Sequence, residues 1–210
     1  GTLRVVLSTF PNSLDLPVSA ERNSHNASQQ LYNSLVWINE EGKVVPALAE
    51  SWEVSEDGTE YTFKLRQGVT FHNGEPFTAD AAVFSWNRGK QEEMHWSEKW
   101  QIVKSVEKID DFTVKVVTEE PQPLLLRIMA NFWALVPPKY IEEVGEDGFA
   151  SHPVGTGPFM FVEWAKGDRI IYKANPNYWE EGLPKVQELI FRPIPESATR
   201  VAAITTGEVD

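Results

Sequence analysis

The segment "PVGTGPF" at residues 153–159 places two glycines between two prolines, and its role decides how the rest of the chain is organised. A dinucleotide-binding loop would need a third glycine at position 160, where the sequence has Met160. It would also need free backbone N–H groups at the start of a helix, and Pro158 has none. The next residues, "FMFVEW", alternate as they do in a strand. We therefore expect this segment to form a rigid bend that leads into a strand. Its two glycines would adopt backbone angles that other residues cannot adopt.

The composition limits the classes of function that this chain can have. It has 210 residues, of which 41% are hydrophobic and 24% charged, as in an ordinary globular protein. The formal net charge of −12 argues against nucleic acid as a partner, because an acidic surface repels phosphates. The chain has no cysteine, which excludes disulfides, thiolate catalysis and thiolate metal sites. Its longest apolar runs are far shorter than the about 20 residues that cross a bilayer.

Local patterns predict a mixture of hairpins and helices. Alternating apolar residues around short polar turns predict three hairpins, over residues 51–65, 102–117 and 159–173. Apolar runs at residues 3–8 and 186–194 predict two further strands. Capping residues and apolar spacing predict four helices. The first covers residues 23–36 and is capped by Asn23 or Ser24, and the second covers residues 78–88 and is capped by Thr78. The other two cover residues 121–129 and residues 196–206, the last one ended by Gly207.

No motif predicts catalysis or metal binding. The four histidines do not have the spacing of a helical metal site, and no serine lies in a nucleophile elbow. The tryptophans are more informative. Trp96 and Trp100 lie in the polar stretch "EEMHWSEKW", and Trp133 comes shortly before a proline pair. Large aromatic side chains in such places either line a binding cleft or complete a core, and the pattern leaves both open.

The stretch "LAESWEVSEDGTEYTFKLRQGVTFHNGEPFTADAAVFSWNR" at residues 48–88 resembles the family 5 extracellular solute-binding proteins, the peptide and nickel receptors of ABC importers. Residues 31–36, 153–159 and 172–210 resemble the same family. The resemblance implies an α/β fold of the periplasmic-binding-protein type. The chain would form lobe I, a mixed sheet with flanking helices and an inserted β-rich subdomain. The second lobe, on the far side of the ligand, would lie outside residues 1–210.

The resemblance also implies a division into subdomains. The main α/β subdomain would comprise residues 1–45 and 153–210, and the inserted β-rich subdomain would comprise residues 46–152. "PVGTGPF" would then be the rigid return from the inserted subdomain to the main one.

Seven residues are candidates for ligand contact by the same resemblance. The loop after the first strand ends beside the cleft, a segment of the inserted subdomain supplies ring-bearing contacts, and Trp133 aligns with a position that is an arginine in nickel-binding relatives. Phe10 could equally cover the core. The candidates are Thr9, Phe10, Asn12, His95, Trp96, Trp100 and Trp133.

The implied function is reversible binding of a solute and its delivery to an ABC permease in the membrane, with no catalytic residue, metal or cofactor. Peptides are the first expectation for the ligand, and opines, oligosaccharides and metal chelates stay open. We expect a periplasmic or extracellular monomer, with a lipoprotein anchor left open. Two alternatives come from other classes. One is the ligand-sensing domain of a transcription regulator. The other is an oligosaccharide hydrolase, which would need two carboxylates about 5–10 Å apart across a cleft.

Overall fold

The computed structural model describes residues 1–210, which form ten β-strands and five α-helices. The strands are β1 Thr2–Leu7, β2 Val36–Ile38, β3 Val44–Pro46, β4 Ala49–Val54, β5 Glu60–Leu65, β6 Val103–Asp110, β7 Thr113–Thr118, β8 Phe159–Ala165, β9 Arg169–Ala174 and β10 Glu188–Pro193. The helices are α1 Arg22–Ser28, α2 Ala79–Gly89, α3 Leu125–Phe132, α4 Pro138–Ser151 and α5 Ser197–Thr205. None of these helices combines the length and the apolar character that a membrane crossing requires.

The first sheet is mixed and contains strands from both ends of the chain. Its order is β1-β10-β9-β8, with β1 parallel to β10 and the other pairs antiparallel. The inward side chains of β9 and β10, Ile170, Tyr172, Leu189 and Phe191, are buried. This mixed sheet with flanking helices confirms the predicted fold class.

The second sheet is antiparallel throughout, in the order β4-β5-β7-β6. Side chains of β5 alternate as predicted: Tyr61, Phe63 and Leu65 are buried, whereas Thr62 and Lys64 point outward. A small third sheet pairs β2 with β3. All three predicted hairpins are present, because short turns at Asp57-Gly58, Asp110-Asp111 and Lys166-Gly167-Asp168 join strands of matching period.

The two large sheets enclose separate hydrophobic cores. The first core has 24 buried residues, drawn mainly from the second sheet, α2 and α3. The second has 15, drawn from the mixed sheet, the loop after β1, α1 and α4. Ile141 and Phe149 of α4, a helix that the sequence did not predict, belong to the second core. The division at residues 45 and 152 stays a prediction.

The first helix is shorter than predicted, and it is capped by a different residue. It ends at Ser28 instead of Val36, and its cap is Glu21 instead of Asn23 or Ser24. The Glu21 carboxylate accepts hydrogen bonds from the backbone N–H groups of Asn23, at 3.0 Å, and Ser24, at 2.6 Å. Beyond Ser28, backbone carbonyls bond to a distant segment instead of continuing the helix. The apolar spacing that predicted a longer helix therefore reflects the burial of Leu31 and Leu35 and not a helical backbone.

That distant segment is residues 153–159, and its rigidity has a different cause from the predicted one. Neither Gly155 nor Gly157 has a positive φ. Both lie directly against the backbone of Leu31, and a Cβ on Gly157 would be 2.5 Å from the Leu31 carbonyl carbon. The N–H of Gly157 donates to the Leu31 carbonyl at 2.8 Å, and the N–H of Phe159 donates to the Gln30 carbonyl at 3.1 Å. The glycines are therefore required by close backbone contact.

Candidate functional site

The carboxyl ends of β1 and β10 lie at one edge of the mixed sheet because these strands are parallel. The chain leaves β1 there through Thr9, which is exposed. Thr9 Oγ1 donates to the Glu21 carboxylate at 2.9 Å, and the side-chain amide of Asn23 donates to the Thr9 carbonyl at 3.2 Å. Burial would raise the pKa of Glu21, but hydrogen bonds from Asn23 and Ser24 outweigh it and lower that pKa. An ionised Glu21 thus holds this loop against the start of α1.

The other two candidates in the loop are more constrained. Asn12 is exposed, but its side-chain oxygen accepts hydrogen bonds from the hydroxyls of Ser19, at 2.6 Å, and Ser24, at 2.9 Å. Phe10 is partly buried against Trp164, with ring centroids 6.3 Å apart. The loop is therefore held in place by side chains that include those of α1 and β8, and Thr9 and Asn12 are its exposed candidates.

Four rings from three segments form a continuous surface, which we call the aromatic ridge: His25 of α1, His95 and Trp96 of the segment after α2, and Phe132 of α3. The ring centroids of His95 and Trp96 are 4.6 Å apart, and those of Trp96 and Phe132 are 4.7 Å apart. Phe132 in turn meets His25 at 6.2 Å. The N–H of His95 donates to the Pro17 carbonyl at 2.8 Å, which ties the ridge to the loop that follows β1.

The aromatic ridge also carries polar groups. The side chain of Gln29, one turn after His25 on α1, forms a hydrogen bond to the His25 ring at 2.7 Å. Burial lowers the pKa of His25, so its imidazole is neutral at pH 7. The indole N–H of Trp96 is buried and has no hydrogen-bond partner. Such a surface can stack against a ligand and form neutral hydrogen bonds.

Trp100 and Trp133, the remaining two candidates, are buried in the first core. They are only 2% and 3% exposed, belong to the first core, and face each other with ring centroids 5.6 Å apart. Trp133 also lines a shallow depression with Gln29 and Asn131. A direct role of these two tryptophans in ligand contact stays a prediction.

Two ridge residues, His25 and Phe132, and the adjacent Gln29 are not among the candidates predicted from the sequence. The i, i+4 spacing of His25 and Gln29 was available as a signal, since it places both on one helical face. For Phe132, the available signal was its position directly before the candidate Trp133. Their convergence depends on how α1 packs beside α3, which no local pattern reveals.

Comparison with known proteins gives concordant matches. The model of the family described as bacterial extracellular solute-binding proteins, family 5 Middle, matches residues 43–210. The glutathione-binding protein GsiB of Salmonella typhimurium is 35% identical over 190 residues, covering 88% of this chain and 36% of that protein.

Two solved structures are similar over the whole chain. AgaA from A. tumefaciens R10, in complex with agropinic acid, has a TM-score of 0.92 and 31% identity, and 43% of its chain is covered. The ABC transporter-associated periplasmic binding protein DppA from Helicobacter pylori, in complex with the peptide STSA, has a TM-score of 0.89 and 30% identity, and 46% of its chain is covered. The chain thus spans less than half the length of the proteins it matches.

Proposed function

The chain belongs to the family 5 bacterial extracellular solute-binding proteins, and from that premise we propose that it contributes one wall of the ligand site in the substrate-binding component of an ABC importer. The protein would bind a small solute between two lobes, close around it and release it to a membrane permease. The observation that carries the proposal is the position of the aromatic ridge beside the loop that leaves β1. The family membership favours this function over a transcription regulator or a hydrolase.

The ligand that we propose is a short peptide or a similar polar solute. GsiB is named for glutathione, AgaA was solved with agropinic acid and DppA with a tetrapeptide. Together with Gln29, the ridge offers aromatic rings, an amide and a neutral imidazole, which suit the side chains and peptide bonds of such a ligand. Ionised ends of the ligand would be held by groups outside the ridge. We propose direct ligand contacts for His95 and Trp96 of the ridge and for Thr9 of the neighbouring loop.

The further features of the proposal follow the same membership. The protein would act outside the cytoplasm as a monomer, with or without a lipid anchor, and its partner in the membrane would be the permease. It would change no covalent bond in its ligand and would need no cofactor.

The test is a thermal-shift measurement on the product of the gene that encodes this chain. We expect the tetrapeptide STSA, glutathione or agropinic acid to raise its Tm, because a ligand at 100 times its Kd stabilises the folded state by about 2.7 kcal/mol. Trp96→Ala should weaken binding about tenfold or more, by removing a stacking surface at the centre of the ridge. His95→Ala should weaken it less, and His152→Ala, which removes another exposed histidine far along the chain, should leave affinity unchanged.

Two results would count against the proposal, and they differ in meaning. If no peptide or related solute gives a saturable shift, the importer assignment loses its support. If a ligand binds but Trp96→Ala has wild-type affinity, the receptor assignment stands and the aromatic ridge is not its site. The 210-residue chain alone, with one wall of the cleft, should show no shift with the uncharged-side-chain peptide STSA.

A further inference from the structure

A second concave site, which we call the aromatic groove, lies near the amino end of β10 in the mixed sheet. It encloses about 880 Å³. Its walls are Trp37, Tyr178 and Trp179, and its rim carries Glu40, Glu180 and Glu181. Residues 175–187 lead into the amino end of β10, where the N–H of Gln187 donates to the Gly1 carbonyl at 2.8 Å. Thr9, by contrast, follows the carboxyl end of β1, and Gln29 lines the groove while its side chain is bonded to His25 of the aromatic ridge at 2.7 Å.

The ring of Trp179 is held in a fixed orientation. Its indole N–H donates to the side-chain oxygen of Asn33 at 3.0 Å, and the Thr156 hydroxyl donates to the same oxygen at 3.0 Å. The Tyr178 ring lies beside it, with a centroid distance of 5.3 Å. Because a hydrogen bond and a ring contact already set this geometry, an incoming ligand would order little of the wall.

The Trp179 ring already accepts one cation. The guanidinium carbon of Arg66 lies 4.6 Å from its ring centroid, a distance at which the ring quadrupole attracts a positive charge. Arg66 is anchored from the other side, since its Nε donates to the Ala47 carbonyl at 3.2 Å. The contact shows that the aromatic side chains of this groove attract a guanidinium group.

Trp37, which also lines the groove, is a large apolar side chain left in solvent. It lies on β2 of the two-stranded sheet, pairs with Val45, and remains 42% exposed. An indole that contributes to neither core and stands over a groove offers a second face for stacking.

The charge on the rim selects the sign of the ligand. Glu40, Glu180 and Glu181 are exposed, and none of them forms an ion pair. The only cationic side chain that lines the groove is Arg66, which is stacked on Trp179 and lies 3.8 Å from Glu50. Three free carboxylates around aromatic walls complement a positive charge.

We infer that the aromatic groove binds an organic cation, a guanidinium or alkylammonium group that stacks between Trp37 and the Tyr178–Trp179 wall and pairs with the rim glutamates. The cation is either a free small molecule or the side chain of an arginine or lysine in a basic peptide. This site does not depend on the proposed importer function, because all of its lining residues lie within residues 1–210 and no second lobe is needed to form it.

The test uses the 210-residue chain and isothermal titration calorimetry with three probes. These are N-acetyl-triarginine amide, arginine amide and N-acetyl-triglutamate amide. We expect saturable binding of the first, weakened by about an order of magnitude when ionic strength rises from low salt to 0.5 M, because exposed charge pairs are screened. If arginine amide competes with the peptide, the ligand is a free cation. If only the peptide binds, the ligand is a chain segment.

Variants assign the binding to the groove. Trp37→Ala should weaken binding about tenfold, because it removes one stacking face. The pair Glu180→Gln/Glu181→Gln should weaken it about fivefold. The pair Glu92→Gln/Glu93→Gln makes the same change in net charge at an exposed position after α2, and it should change affinity less than about twofold. Circular dichroism of each variant checks that the fold is retained.

Three outcomes would overturn the inference. The first is equal binding of the triglutamate and triarginine probes. The second is an equal loss of affinity in the 92/93 and 180/181 pairs, which would mean attraction to the acidic surface as a whole. The third is no saturable binding of either cationic probe at low salt by a wild-type chain whose circular dichroism shows it to be folded.

Discussion

Gly157 lies against the backbone of residues 30 and 31 with no space for a side chain, and this contact joins two distant parts of the sequence. Gly167, in the turn between β8 and β9, represents the other use of glycine. Its φ is +82° and a Cβ there would meet open space. The two glycines are thus required for different reasons, one steric and one conformational. Their substitutions should have different costs.

Gly157→Ala is expected to lower the free energy of unfolding by about 3 kcal/mol or more, because the added Cβ forces backbone segments apart. Gly167→Ala should cost about 1–2 kcal/mol, the cost of a side chain in the left-handed region. Urea unfolding followed by circular dichroism measures both. Equal costs for the two variants would show that the segment 153–159 can move away from Leu31.

At the scale of elements, Arg88 connects three of them. It lies on α2, is 4% exposed, and forms ion pairs with Asp15 before the turn at residues 16–18 and with Glu146 of α4. Its Nη1 donates to Asp15 Oδ1 at 3.1 Å, and its Nε donates to Glu146 Oε1 at 3.0 Å. The guanidinium also lies over the Phe149 ring, 5.2 Å from its centroid. One buried cation therefore fixes the packing of α2 and α4 on the loop that follows β1.

The two carboxylates of this network should differ in their effect on stability. The side chain of Asp15 is 2% exposed, whereas that of Glu146 is 53% exposed. Asp15→Asn should cost about 3–5 kcal/mol, because it leaves the buried guanidinium short of a counter-charge. Glu146→Gln should cost about 1 kcal/mol or less, because water can replace the exposed carboxylate. Urea midpoints give the comparison, and a larger loss for Glu146→Gln would contradict this account of the network.

For the whole molecule, the joint between the two cores is the feature that sets their relative position. His72, adjacent to Phe71 of the first core, meets the segment 153–159, which packs on the second. The N–H of Gly155 donates to His72 Nδ1 at 3.2 Å, so that nitrogen is the acceptor and Nε2 carries the proton donated to the Gly157 carbonyl at 3.0 Å. Both ring nitrogens are used in the neutral form, and protonation of Nδ1 would break the first of these bonds.

The joint should therefore weaken in mild acid. Burial lowers the pKa of His72 to about 4 from an ordinary value of 6.5, although the bond to Gly157 opposes the shift. The unfolded chain binds the proton first, so stability is full above pH 6.5 and falls as the pH drops toward 4, by about 3 kcal/mol in total.

Urea unfolding between pH 7 and pH 5 tests this expectation. His72→Gln should remove most of the decline in that window, whereas His152→Gln, at an exposed position, should keep it. A His72→Gln variant that loses stability with acid as steeply as the wild type would contradict the assignment of the decline to this residue.

The sequence alone determined the elements whose signals are local. Alternating apolar residues and the Asp-Gly, Asp-Asp and Lys-Gly-Asp turns predicted the hairpins, and Gly207 correctly marked the end of α5, because period and turn geometry depend on neighbouring residues. Only the tertiary structure decided that α1 stops at Ser28, that Gly155 and Gly157 are needed for backbone contact, and that His25 and Phe132 join Trp96 in one ridge. These features arise where segments far apart in the chain compete for the same hydrogen bonds and the same space, and no local pattern records that competition.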